Sequence, residues 1–82
     1  MNGFIVVGLD SSHNIIYISN TGPILWSGDR KDAKIFYSLS NAKNELEENF
    51  TSLSSTIKYT NINSIYILEY NNDKEVGRKK FL

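Results

Sequence analysis

The chain has 82 residues, nine acidic and nine basic, no net formal charge and no cysteine. That length supports one small core, so residues 1–82 are expected to form a single domain that buries about 60–65% of its unfolded surface and is stable by about 5 kcal/mol. Balanced charge removes the cheapest argument for phosphate binding, which rests on a Lys/Arg surplus, and the lack of cysteine excludes a disulfide framework, a thiolate metal site and thiol chemistry.

At 40% hydrophobic and 22% charged the composition is that of a globular protein. The longest apolar runs, Phe4-Ile5-Val6-Val7 and Ile15-Ile16-Tyr17-Ile18, are far shorter than the ~20 residues needed to span a membrane. Met1-Asn2-Gly3 lacks the positive start of a secretory signal, so the protein is expected to stay in the compartment where it is made.

Residues 3–9 join β-branched residues to a Phe, and both alternating sets, Phe4/Val6 and Ile5/Val7/Leu9, are apolar. This pattern predicts a central strand buried on two faces. Asp10-Ser11-Ser12-His13-Asn14 is a turn cluster, after which residues 15–19 resume strand character, giving a β-hairpin over residues 3–19. Asn20-Thr21-Gly22-Pro23 predicts a second turn, and residues 24–27 a short strand whose Trp26 is buried with its indole N–H paired. Residues 33–37 read as a fourth short strand leading into a helix.

Ser38 is the expected N-cap, with Ser40 as the alternative. Leu39, Ala42, Leu46, Phe50 and Leu53 then follow three-and-four spacing, which predicts one amphipathic helix over about residues 39–51. Residues 51–56 read as a serine-rich exit, and residues 57–60 and 64–70 as one interrupted or two strands. In the latter, Ile65 and Ile67 alternate with Tyr66, Leu68 and Tyr70. Residues 71–74 form a turn cluster, and residues 75–82 are either a frayed tail or an edge strand protected by Arg78, Lys79 and Lys80. The expectation is an α+β domain of order β-β-β-β-α-β-β: one antiparallel sheet of five or six strands with a single helix on one face.

The central pattern Trp26-Ser27-x-Asp29, Asp32-Ala33-Lys34-x-Phe36, Ser38-x-x-x-Ala42-x-x-x-Leu46 resembles small accessory proteins of bacteriophages and prophages of low-GC Gram-positive bacteria. The resemblance covers roughly residues 15–67 and is structural: it implies Trp26 and Phe36 in the core, Ser38 as a cap, and Ala42 and Leu46 on the helix stripe. It also implies a setting, the cytoplasm of a bacterial host, in which such proteins frequently bind a host or defence protein, as anti-CRISPR inhibitors do. It carries over no functional residue.

His13 is the single histidine and stands in a turn beside Asp10, Ser11 and Ser12. A catalytic triad needs a base held against an activated hydroxyl and oriented by a carboxylate, which one loop of neighbours does not supply. One His and one Asp are too few for a metal, so neither an enzyme, a metal site nor a cofactor is expected. Gly3 and Gly8 lack the spacing and following helix of a phosphate loop.

Five tyrosines are a surplus for so small a core. If Ile65 and Ile67 face the helix, then Tyr66, Leu68 and Tyr70 form a stripe on the opposite face that seeks cover from a partner or a second copy. Glu45, Glu47 and Glu48, with Asp29 and Asp32, offer a secondary acidic surface that would imitate nucleic acid towards a basic partner, and whose plainer reading is a solvated helix face. Lys74, Arg78, Lys79 and Lys80, with Tyr59, Tyr66 or Tyr70 stacking on bases, offer an alternative as a nucleic-acid surface, whose plainer reading is a sheet face with one wet side. The leading expectation is a non-enzymatic protein-binding module acting by steric occlusion, ahead of a nucleic-acid binder or a phage structural subunit.

Overall fold

The computed structural model describes residues 2–20 and 25–82, the side chains of Tyr59 and Thr60 excepted. The expected turn at residues 21–23 and the start of the third strand at Ile24 therefore lie outside the described residues. The elements are β1 (Gly3–Asp10), β2 (Ile15–Ile18), β3 (Trp26–Ser27), a 3-10 turn (Arg30–Asp32), α1 (Leu39–Glu48), α2 (Phe50–Thr60), β4 (Ile62–Asn71) and β5 (Lys74–Lys80). The strands make one antiparallel sheet in the order β3-β2-β1-β4-β5.

The twofold-apolar segment is the centre of this sheet, as its composition demands. β1 pairs with β2 through Val7 opposite Tyr17 and with β4 through Val7 opposite Tyr66. The hairpin loop is closed by Asp10, whose carboxylate accepts the Ser12 and Asn14 main-chain N–H groups, both at 2.9 Å, while His13 takes the left-handed conformation at φ 64°.

Period-two alternation gives each sheet face its own cluster. On the helix face Val6, Ile18, Ile62, Ile65 and Ile67 pack with Phe36, Ala42, Leu46 and Leu53. On the other, Ile5, Val7, Ala33 and Leu68 are buried beneath Tyr17, Tyr66 and Tyr70. The expected division of Ile65/Ile67 from Tyr66/Leu68/Tyr70 is thus present.

Ser38 caps α1: its hydroxyl accepts the Asn41 N–H at 3.0 Å. Two helices occupy the layer, however, in place of one. α1 stops at Glu48, and the chain restarts through Asn49 as α2. The break turns Phe50 out of the stripe, leaving it 48% exposed, while Leu53 is fully buried. Residues 51–56 and 57–60, read as an exit and a strand, are instead helical and end at Asn61, which takes the left-handed conformation (φ 56°) that terminates helices.

Residues 33–37 are the second correction. They form isolated bridges, Ala33 with Ser19 and Phe36 with Phe4, and no regular strand. Because the two bridges reach different neighbours, alternation fails: Ala33 and Phe36 are buried, while Ile35 and Tyr37 are exposed. Lys34 anchors this segment to α1, its Nζ donating to both Glu45 carboxylate oxygens at 2.7 and 3.0 Å.

The C-terminal stretch is an edge strand, with a bulge where Val76 has no partner between the Glu69–Gly77 and Tyr70–Glu75 pairs. The observed order is β-β-β-α-α-β-β.

Candidate partner-binding face

The register aligns side chains into rows that cross the sheet. On the face away from the helices, one row runs Ser27, Tyr17, Val7, Tyr66, Lys80 through all five strands. The next runs Ile5, Leu68, Arg78, and a third joins Gly3, Tyr70 and Glu75. The rings of Tyr17, Tyr66 and Tyr70 are half-buried over the aliphatic floor.

Between them lies a cleft of about 110 Å³, lined by Val7, Leu9, Tyr17, Tyr66, Leu68 and Arg78 among others. Small-molecule sites generally start near 300 Å³, so this cleft suits one apolar side chain rather than a whole metabolite.

Cations frame the rings. The Arg78 guanidinium stands 5.6 Å from the Tyr66 ring centre and Arg30 stands 4.7 Å from that of Tyr70. Such placements favour the cation by the negative potential of the ring face. Arg78 also donates to Glu75 through Nε and Nη2, at 3.0 and 3.1 Å. This fork holds the Glu75 carboxyl below its ordinary range and raises the already high Arg78 value.

Of the residues expected to bind a partner, Tyr66 and Tyr70 border this cleft, while Leu68 is its floor at 6% exposure. A visitor meets the rings and Arg78 before it meets Leu68. Glu47 is set apart from Glu45 and Glu48, which share one side of α1: at about 100° per residue, Glu47 points some 160° away from Glu45. Glu45 is moreover committed to Lys34, leaving Glu47 and Glu48 exposed. Glu45 and Glu48 line a second, open and polar groove of about 420 Å³ with Asn41, Asn44 and Tyr37.

Among the alternative nucleic-acid residues, Lys74, Arg78, Lys79 and Lys80 all belong to β5. Register separates them: Lys80 lies beside Tyr66 and Arg78 beside Leu68, while Lys79 pairs with Ile67 on the helix face. Tyr59 falls in α2 rather than on the sheet, and its side chain lies outside the described residues.

Tyr17, Arg30 and Glu75 belong to the site although no expectation named them. Tyr17 was recoverable, since a five-residue loop between paired Leu9 and Ile15 sets Tyr17 opposite Val7. Arg30 carries no local signal, because only the 3-10 turn's return over the sheet brings it to Tyr70.

His13 is exposed, and its neighbour Asp10 spends its carboxylate on the loop backbone. The Asn14 main-chain N–H leads the donors that hold the Asp10 carboxyl below its usual value. Among the described residues no group of three His, Asp or Glu side chains is placed to hold a metal ion. No helix among them is long and apolar enough to cross a membrane.

Comparison of the chain with family models, with curated proteins and with solved structures finds no match.

Proposed function

We propose that this chain is a non-enzymatic protein-binding module that acts by steric occlusion, seating its partner on the Tyr17/Tyr66/Tyr70 face. The supporting observation is that one sheet face is covered by two helices while the other ends in three half-buried tyrosine rings, a one-side-chain cleft and a rim of arginines. Tyr and Arg are the residues that anchor interfaces, because each offers large contact area with a polar end. The resemblance to phage accessory proteins supports a bacterial host or defence protein as target and the host cytoplasm as location.

The test uses Tyr17→Ala with Tyr66→Ala, sparing Leu68 because its burial ties it to stability. Tagged wild type and variant are compared for partner recovery from infected-cell lysate and for mass in solution. Loss of a partner, or of self-association, with an unchanged circular dichroism spectrum is the expected result. Equal recovery and equal mass from a folded variant would remove this face from the function.

A second reading, single-stranded nucleic acid, gains support from the row that sets Lys80 beside Tyr66, since such proteins combine stacking rings with cations. It ranks second because Arg30 and Arg78 already occupy the ring faces on which bases would stack. A salt titration with oligothymidine separates the two, as phosphate binding weakens steeply with salt.

A further inference from the structure

The two edges of the sheet are not alike. β3 is only two residues long, which blunts that edge, whereas β5 runs seven residues as the outermost strand, and among the described residues no element pairs its outer side. Proteins protect long edges with charge, bulges or cover. β5 carries a bulge at Val76, itself 58% exposed, and four cations against one acid, Lys74, Arg78, Lys79 and Lys80 against Glu75.

The straight part of this edge follows the bulge. Phe81 and Leu82 both donate their main-chain N–H groups to the Ile65 carbonyl, and the Leu82 carbonyl accepts the Ile65 N–H, so the Phe81 N–H faces inward. Strand alternation then turns the main-chain groups of Lys79 and Gly77 inward as well, and those of Arg78 and Lys80 outward to the open edge. Side chains alternate independently: Arg78 and Lys80 stand on the tyrosine face, and Lys79 and Phe81 on the helix face.

An open edge accepts any strand, but its side chains choose which. A second β5 laid antiparallel along it brings Lys and Arg against Lys and Arg, and like charges across strands repel. A strand bearing carboxylates opposite Arg78 and Lys80 meets the reverse, so the same charges that reject a copy of the chain attract an acidic segment. Glu75 is already forked to Arg78 and leaves Lys80 with no acidic neighbour in register.

We propose that the edge of β5 from Gly77 to Phe81 captures an extended acidic segment of the partner protein as a sixth strand, its carboxylates beside Arg78 and Lys80 on the tyrosine face and its alternate apolar residues beside Gly77, the aliphatic stem of Lys79 and Phe81 on the helix face. This rests on the protein-binding reading and adds to it the partner's chemistry. Main-chain bonds supply affinity in this mode and alternate side chains supply selection. The captured strand continues the surface that holds the tyrosine cleft, so the two sites form one footprint.

The probe is a short capped peptide of alternating Glu and Val, with a Lys–Val counterpart and oligothymidine as comparisons. Binding is read by fluorescence anisotropy and by amide exchange of the full chain. The Glu–Val peptide is expected to bind, to slow exchange at the Arg78 and Lys80 amides by about tenfold, and to weaken severalfold at high salt; the Lys–Val peptide is expected to do neither. Lys80→Pro removes an outward N–H while keeping the inward ladder and should abolish binding, whereas Lys80→Gln, which removes charge alone, should weaken it only severalfold.

Equal binding of both peptides, unchanged Arg78 and Lys80 amides, or Glu–Val binding by a folded Lys80→Pro variant as tight as wild type overturns the proposal. So does equal protection of these amides by oligothymidine, or by a second copy at raised concentration without peptide. If Lys80→Pro still recovers the lysate partner that the tyrosine variant loses, the edge inference fails while the protein-binding reading stands; if no variant alters recovery, both fail.

Discussion

The exchange of one helix for two can be tested at a pair of residues. A single helix over residues 39–51 makes Phe50 core, whereas the observed break at Asn49 leaves Phe50 48% exposed and Leu53 fully buried. Leu53→Ala removes three buried carbons, about 2.4 kcal/mol of transfer energy at about 0.8 per methylene, and the residual cavity brings the cost to about 3–4 kcal/mol. Phe50→Ala, losing a ring that is already half in water, should cost about 1 kcal/mol. Against a total stability of about 5 kcal/mol, Leu53→Ala remains folded in water but melts about 12–32 °C lower. Urea unfolding followed by circular dichroism and by Trp26 fluorescence reads both. A cost below about 1 kcal/mol for Leu53→Ala, or a cost for Phe50→Ala that equals it, refutes the docking of α2 on the sheet.

Three further outcomes follow from single contacts. The Trp26 indole donates to the Thr56 hydroxyl at 3.1 Å, joining β3 to α2; Thr56→Val leaves that donor unmatched, so stability should fall by about 1–2 kcal/mol and Trp26 emission should shift. Gly3 sits at φ +142°, and a Cβ there lies 2.8 Å from the Phe36 carbonyl oxygen that accepts the Phe4 N–H; Gly3→Ala should cost at least about 2 kcal/mol in the same urea assay. The Asp10 carboxyl is held below its unfolded value, so its contribution is complete above about pH 4 and is lost as pH falls through the folded value. Asp10→Asn should therefore flatten the acid limb of the stability–pH curve, and an unaltered limb would assign acid sensitivity elsewhere.

The parts of this molecule written in short-range pattern were readable. Two apolar faces in residues 4–9 imply a central strand, alternation in residues 65–70 sorts isoleucines from tyrosines, and a Ser before helical spacing implies a cap. What failed depends on tertiary contact. Residues 51–60 are rich in Ser and Thr, whose hydroxyls compete with helical hydrogen bonds. In the fold those hydroxyls bond back within the helix, Ser55 to the Thr51 carbonyl and Thr56 to that of Leu53, and Leu53 docks in the core. Residues 33–36 look like a strand but are fixed by bridges to two different neighbours. The tyrosines of the candidate face were found by period, whereas Arg30, from a turn remote in sequence, had no such signature.

The central place of β1 has a consequence for the route to the fold. β1 finds its longest partner in β4, distant in sequence, with Gly3 opposite Tyr70 and the Asn2 side chain accepting the Asn72 N–H at 2.7 Å. The β1–β2 hairpin alone is marginal in water, so Phe4, Ile5, Val6 and Val7 stay uncovered until β4 pairs with β1. A pairing this distant in sequence slows folding, since the two strands must meet before burial begins. Until β1 and β4 close, the apolar faces of both strands lie open to other chains, so conditions that slow this closure favour aggregation over folding.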